Sequence, residues 1–322
     1  MMAKIAKKFH KASRVKAKAS IMLEGLSGTG KTGLAITLSK ALAGNWEDVY
    51  YIDTENKSMN LFVGLTLHTG EKVPDETINV INLTKDDGYA PTSFISLRDS
   101  AIAAGGKVVV KDSISHAWQR QGGVLDLVNK KKRENPSLDN YRVWGDAEVN
   151  QEKNEIFELI RDSKIHVITT VRVKEKFSMQ YDEDKGKNAV VSLGEQPMQQ
   201  EGLQYEPDLV LRMLEPGTID GNPPKVFVRK SRYAIFKVGE EYLMTPEIIQ
   251  QLVEYLDEGV DPDKLLEQQR IDYIEAVKEY CDTQIKLSIW KEIKKNNDLE
   301  DVPIEELTLK QLKTMHTQLI GG

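Results

Sequence analysis

Gly25-Leu26-Ser27-Gly28-Thr29-Gly30-Lys31-Thr32 fits the pattern G-x-x-x-x-G-K-[ST] without a mismatch. Ile21-Met22-Leu23 in front of it reads as a short buried strand, and Leu34, Leu38 and Leu42 behind it fall on one face of a helix. The motif therefore stands in the strand, loop, helix context that it needs. Glycines let the backbone wrap closely around an anion, and the loop N–H groups and the helix N-terminus point at phosphate oxygens. Lys31 reaches the outer phosphates and Thr32 offers a hydroxyl to Mg²⁺. The candidate nucleotide-binding set is Gly25, Ser27, Gly28, Thr29, Gly30, Lys31 and Thr32. A glycine-rich turn with a chance lysine explains neither the spacing nor the flanking elements.

Outward from this loop, 322 residues with 40% hydrophobic and 29% charged content suffice for one large α/β domain and a small satellite. No apolar run approaches a membrane span and the N-terminus lacks the apolar centre of a signal peptide, so a soluble cytoplasmic protein without a membrane partner is expected. A single cysteine, Cys281, excludes an internal disulfide and a cysteine-based metal cluster, and its amphipathic helical setting predicts half-buried packing. Charge is uneven. From Thr245 to the end there are nine Lys or Arg against seventeen Asp or Glu, a net of −8 in a chain of −6, so the acidity belongs to the tail. The first twenty residues hold Lys4, Lys7, Lys8, Lys11, Arg14, Lys16 and Lys18 with no acid, which suits either a nucleic-acid-contacting arm or a solvated leader.

Val49-Tyr50-Tyr51-Ile52-Asp53-Thr54-Glu55 reads as a strand ending in two carboxylates, expected to neighbour the P-loop strand. Ile78–Leu83 alternates strictly and predicts another strand, followed by a helix from about Thr92 to Ala104 closed by Gly105-Gly106. Lys107–Asp112 and Ile165–Val171 are further strands, separated by a mixed helical and loop region. Strands alternating with helices imply a mostly parallel sheet covered on both faces, with its ligand beyond the carboxyl ends of the strands. From Phe177 the pattern changes to a hairpin or mobile loop around 182–188. A second strand pair, Asp208–Leu214 with Lys225–Tyr233, is continued by Ala234–Met244, and these antiparallel additions extend one edge of the sheet. Thr245-Pro246-Glu247 is a helix start, with helical pieces after it broken near Gly259 and Asp298–Pro303. The expected division is a basic arm at 1–20, an ATPase core at 21–244 and an acidic helical domain at 245–322.

A P-loop needs a carboxylate on the metal side, and Asp112 after Val108-Val109-Val110 is the candidate, although Lys111 departs from the usual apolar residue before it. Either the Lys111 side chain leaves the sheet or the strand is less buried than its valines suggest. Hydrolysis also needs a group beside the γ-phosphate to orient or deprotonate water, and Glu55 is the candidate base, with Asp53 a competitor better suited to bonding backbone or Thr54. Thr169 and Thr170 end a strand, where they either sense the γ-phosphate or merely serve strand propensity. His116 and Trp118, just beyond Asp112, either line the site or pack, and packing is the preferred reading.

Several blocks then resemble one family. Tyr51-Ile52-Asp53-Thr54-Glu55 is similar to the segment that carries the catalytic glutamate in RecA-like recombinases, and Val109-Val110-Lys111-Asp112-Ser113 resembles their Walker B. Val167–Arg172 matches the strand entering their second DNA-binding loop, and Lys225–Arg232 resembles the late strand whose cations reach a neighbouring subunit's ATP. With Glu201-Gly202-Leu203-Gln204-Tyr205-Glu206-Pro207-Asp208 and the Gly-Leu-Ser-Gly opening of the P-loop, the likeness over Phe9–Met244 is to phage-encoded RecA-like ATPases of the single-strand-annealing recombinase group. The resemblance implies a RecA-like P-loop NTPase core plus a small C-terminal helical domain, with ATP and Mg²⁺ as cofactors. It implies Lys31 and Thr32 on phosphate and metal, Asp112 on the metal side, Glu55 as base, and Lys230 with Arg232 acting in trans. Thr170 stands where recombinases commonly place glutamine. Phe9-His10-Lys11-Ala12 resembles a short docking plug onto the next protomer.

The function expected is therefore a Mg-ATP-dependent ATPase in a homo-oligomer, ring or filament, that binds single-stranded DNA and promotes annealing or strand exchange in phage recombination. A phage-encoded chain would work in the bacterial host cytoplasm, beside a single-strand-binding or replication protein. For DNA the candidates are Arg172, Lys174 and Lys176 leading into Phe177–Gly194, with Phe177 or Tyr181 to stack on bases, the run Lys130-Lys131-Lys132-Arg133, and the basic leader. Alternatives are a helicase-like motor built on the same core, and a nucleotide-switched adaptor working through its acidic helices.

Overall fold

The computed structural model describes residues 14–162, 164–182, 187–217 and 221–321. They divide into two units, Ala17–Leu256 and a smaller one comprising Asp257 onward with the segment ending at Lys16.

In the larger unit the strands are β1 (Ser20–Gly25), β2 (Val49–Asp53), β3 (Asn79–Asn82), β4 (Val108–Asp112), β5 (His166–Asp182), β6 (Lys187–Pro197), β7 (Leu209–Glu215), β8 (Lys225–Ser231) and β9 (Glu241–Leu243). They form one sheet of order β3-β2-β4-β5-β1-β7-β8-β9, with β6 paired to β5 alone. Every pairing from β3 to β7 along this order is parallel, and β8 and β9 are antiparallel. This is the α/β, mostly parallel class the sequence predicts. Alternation in the strands feeds two cores: Ile21, Leu23, Val108 and Val110 face one way, Met22, Val109 and Val167 the other. Helix α1 (Lys31–Ala43) packs in the first core, and α2 (Pro91–Ala103) and α6 (Ala147–Glu158) in the second. The short α3 (Ser115–Gln119), α4 (Val124–Glu134) and α5 (Asn140–Trp144) fill the region between β4 and α6.

Four expectations are corrected. β2 does not neighbour β1, because β4 and β5 lie between them. β7 is a parallel partner of β1, so only β8 and β9 are antiparallel edge additions. Ala234–Met244 is mostly turn, with Tyr233 and Phe236 turned into the core and strand limited to Glu241–Leu243. β5 runs eleven residues past Val171, paired with β6 in a long ribbon. β3 does alternate, yet it is an edge strand and largely exposed.

Helix α7 (Pro246–Asp257) seats Ile249, Leu252 and Leu256 in the first core, so the larger unit runs to Leu256, past the expected boundary near Thr245. In the smaller unit, α8 (Pro262–Tyr280), α9 (Gln284–Asn296) and α10 (Leu309–Gly321) enclose Val277, Trp290, Leu307, Leu312 and Met315. Cys281 packs half-buried against them, as predicted. Within this unit Arg14 pairs with Glu258 at 2.8 Å and Lys16 with Asp257 at 3.4 Å, so these two cations of the basic leader are neutralised locally. The rest of the leader up to Ser13, including Phe9–Ala12, lies outside the described residues.

Candidate nucleotide site

The P-loop leaves β1 at Gly25 and enters α1 at Lys31. Gly28 and Gly30 both have φ of 81°, a conformation that disfavours any side chain. A Cβ on Gly25 would stand 2.4 Å from Thr29 Oγ1, so a side chain there would displace the Thr29 hydroxyl. Thr29 Oγ1 and Lys31 Nζ donate to the Leu26 carbonyl at 2.8 and 2.7 Å, and Lys31 also donates to the Gly25 carbonyl at 3.0 Å. Burial lowers the Lys31 pKa, while Glu55 and Asp112 pull it back.

Asp112 ends β4 and is 1% exposed. Thr32 Oγ1 and Tyr51 Oη each donate to its Oδ2 at 2.7 Å, and Thr170 Oγ1 donates to Oδ1. Burial raises the Asp112 pKa against these three hydroxyls. The Thr32 hydroxyl and the Asp112 carboxylate, the two expected metal-side groups, are thus in contact. Among the described residues no cluster of three or more His, Cys, Asp or Glu forms a closed metal cage. One hydroxyl and one carboxylate suit Mg²⁺, which keeps several waters and shares substrate phosphates.

Lys111 is fully buried, on the other face of β4, where its Nζ donates to the Leu159 carbonyl beyond α6 at 2.5 Å. The strand is therefore as buried as its valines imply. Thr169 and Thr170 lie near the start of β5 rather than at a strand end, and neither is free to sense phosphate: Thr170 is bound to Asp112, and Thr169 is fully buried, 3.4 Å from the Ile21 carbonyl.

Asp53 bonds backbone, as expected of it, although not Thr54. Its Oδ1 accepts from Glu55 N at 2.7 Å and its Oδ2 from Met59 N at 2.8 Å and Ser58 Oγ at 3.1 Å. It thereby fixes a turn in which Asn56 and Lys57 take positive φ. Glu55, held at the start of that turn, is gripped by Arg172: Nε donates to Oε1 and an Nη to Oε2, each at 2.7 Å. Burial works to raise the Glu55 pKa, but Arg172, with lesser help from His116 and Lys31, holds it below the usual carboxylate range. Arg172, read from sequence as a DNA contact, is thus bound first to the candidate base. Spacing gave no signal of this pair, 117 residues apart. His116 is buried with its ring 5.3 Å from that of Tyr89, and Trp118 stacks on Trp144. Burial, then Arg172, push the His116 pKa down to about 4.

An apolar cleft missed from sequence adjoins the P-loop, lined by Gly30, Leu61, Phe62, Leu65, His68 and Pro216 among others. A Cβ on Gly33 would stand 3.2 Å from Phe62, so α1 and this wall approach closely because of that glycine. Its position beside Gly28 and Gly30 and its apolar walls suit a nucleobase.

Lys230 and Arg232 lie elsewhere. Lys230 pairs with Val210 and Ser231 with Leu209, and Leu209 pairs with Ile21, at the end of β1 away from the P-loop. Lys230 Nζ donates to the carbonyls of Tyr205 and Pro207, and Arg232 pairs with Asp208 at 2.9 Å. The basic run on α4 is also tied down in part: Lys131 bridges Asp146 and Glu148, and Lys132 donates to Asn140. Lys174 is exposed, while the side chains of Lys176, Phe177 and Tyr181 lie outside what is described.

A family model described as an AAA domain matches residues 17–233, from β1 through β8. No curated protein matches the chain by sequence. Among solved structures, the crystal structure of the RadB recombinase is similar at 19% identity, with a TM-score of 0.41, covering 70% of this chain and 86% of that one.

Proposed function

Because the chain belongs to that AAA domain family, we propose that it is a Mg-ATP-dependent RecA-like ATPase. In this reading it assembles head to tail, binds single-stranded DNA and promotes annealing or strand exchange in recombination. The observation that carries the nucleotide half is the 2.7 Å contact between Thr32 Oγ1 and Asp112 Oδ2 directly behind the P-loop. Mg²⁺ held by these two groups would neutralise charge developing on the β- and γ-phosphate oxygens. Loop N–H groups and Lys31 orient the phosphates. Glu55 takes a proton from the attacking water as its oxygen bonds the γ-phosphorus and the bond to the ADP oxygen breaks. Lys230 and Arg232 stand level with the first half of β1, away from their own P-loop, and we assign them a role toward a neighbouring copy's phosphates. The β5–β6 ribbon, with Lys174 exposed at its foot, is assigned to single-stranded DNA.

The test is ATPase rate against protein concentration, with and without single-stranded DNA, for wild type, Lys31→Ala, Glu55→Gln and Lys230→Ala. The reading requires loss of turnover in all three variants, retained ATP binding in Glu55→Gln, and a specific rate that climbs with wild-type concentration. A flat specific rate that Lys230→Ala leaves unchanged removes the shared site.

A further inference from the structure

Glu55 and Arg172 meet where β5 changes partners. Arg172 lies opposite Gly25 at the last rung shared with β1, and from Val173 onward the strand pairs with β6. The Arg172 backbone is fixed on both sides, its N–H donating to Ser115 Oγ at 2.9 Å and its carbonyl accepting from Met198 N at 2.7 Å. Its side chain is left to choose a partner, and it engages Glu55 through both nitrogens at 2.7 Å. A carboxylate held this way has lowered basicity and has its lone pairs turned from any attacking water.

Around the pair runs a cleft lined by Glu55, Lys85, Tyr89, His116, Arg120 and Arg172. A second recess shares His116, Arg120 and Arg172 and reaches Met198 at the foot of the ribbon. No P-loop residue lines either recess. Lys85 and Arg120 are exposed and have no ion pair among the described residues. Three cations thus line the cleft together with one carboxylate.

We infer that this cleft binds a backbone phosphate of a nucleic-acid strand, and that the phosphate takes the Arg172 guanidinium away from Glu55. The inference rests on Glu55 being the water-activating base. A phosphodiester presents the same pair of oxygens to the guanidinium fork as a carboxylate does. Lys85 and Arg120 add the attraction that tips the exchange. Released, the Glu55 carboxylate accepts a proton from water. Strand binding at the ribbon is thereby coupled to turnover by a side-chain exchange.

The experiment uses the full chain with Mg-ATP and either a single-stranded thymidine oligonucleotide or inorganic phosphate at matched ionic strength. Arg172→Gln is expected to raise the unstimulated kcat several-fold, to reduce oligonucleotide stimulation below twofold, and to leave the KM for ATP within threefold. A merely structural role would lower both rates. Arg120→Ala is expected to weaken oligonucleotide binding at least tenfold by fluorescence anisotropy. An Arg172→Gln protein with an unstimulated rate at or below wild type, still activated by the oligonucleotide, overturns the latch. Stimulation by inorganic phosphate equal to that by the oligonucleotide overturns the strand as ligand. Glu55→Gln separates the two layers: wild-type turnover there removes the base itself, whereas an inactive Glu55→Gln beside an unresponsive Arg172→Gln confines the failure to the latch.

Discussion

Lys111 and Asp112 are adjacent on β4 and serve opposite faces of the sheet, Asp112 receiving the Thr32 hydroxyl and Lys111 reaching the Leu159 carbonyl beyond α6. Strand alternation makes this possible, since successive side chains point to opposite sides. A lysine before Asp112 therefore leaves the P-loop side of the strand undisturbed.

Lys111 is nonetheless costly. Burial, reinforced by Arg98, brings its pKa down to about 7. The unfolded chain keeps this proton up to about 10.4, so between the two values the unfolded state binds more protons and stability rises with pH. Below about 7 both states are protonated and the penalty is complete. Lys111→Met should flatten that slope and stabilise the protein at neutral pH by about 1 kcal/mol, or about 2–4 °C in Tm. Thermal melts from pH 6 to 10 check it, and an unchanged slope would show that Lys111 does not titrate in this window.

The trans action proposed for Lys230 and Arg232 makes a prediction that single variants cannot. Lys31→Ala and Lys230→Ala should each lose at least about a hundredfold in turnover, on the scale of removing one transition-state donor. Mixed together they should regain activity, because some interfaces then pair an intact P-loop with an intact cation pair. A mixture as dead as its components, from two folded proteins, argues for action in cis.

The apolar cleft beside the P-loop predicts a split in the kinetics. Leu65 is 37% exposed on its wall, so Leu65→Asp should fold normally. It should raise the KM for ATP about tenfold with little change in kcat, as expected when binding common to ground and transition states is lost. An unaltered KM would place the base elsewhere.

The reach of the larger unit can be tested by truncation. Ending the chain at Leu256 should leave a cooperatively folded protein. Ending it at Met244 removes Ile249, Leu252 and Leu256, which are at most 4% exposed. At about 1.5–3 kcal/mol each, their loss approaches the whole stability of a typical domain. Circular dichroism melts of the two truncated chains distinguish the cases.

Much of this was legible in the residues alone. Strand, P-loop and helix are local structures, set by glycine conformations, hydrogen bonds between near neighbours and the period of apolar side chains, so a short window of sequence specifies them. The same local logic expected Asp53 to bond backbone and singled out Asp112 as the carboxylate a P-loop needs, and the structure brings Asp112 against Thr32. Tertiary structure alone decided what depends on distant segments meeting. It placed β4 and β5 between β2 and β1, closed Arg172 onto Glu55, set Lys230 beside Val210 and drew α7 into the first core. Those outcomes turn on which strands pair and which faces are covered, a competition among long-range burials that no single stretch of chain encodes.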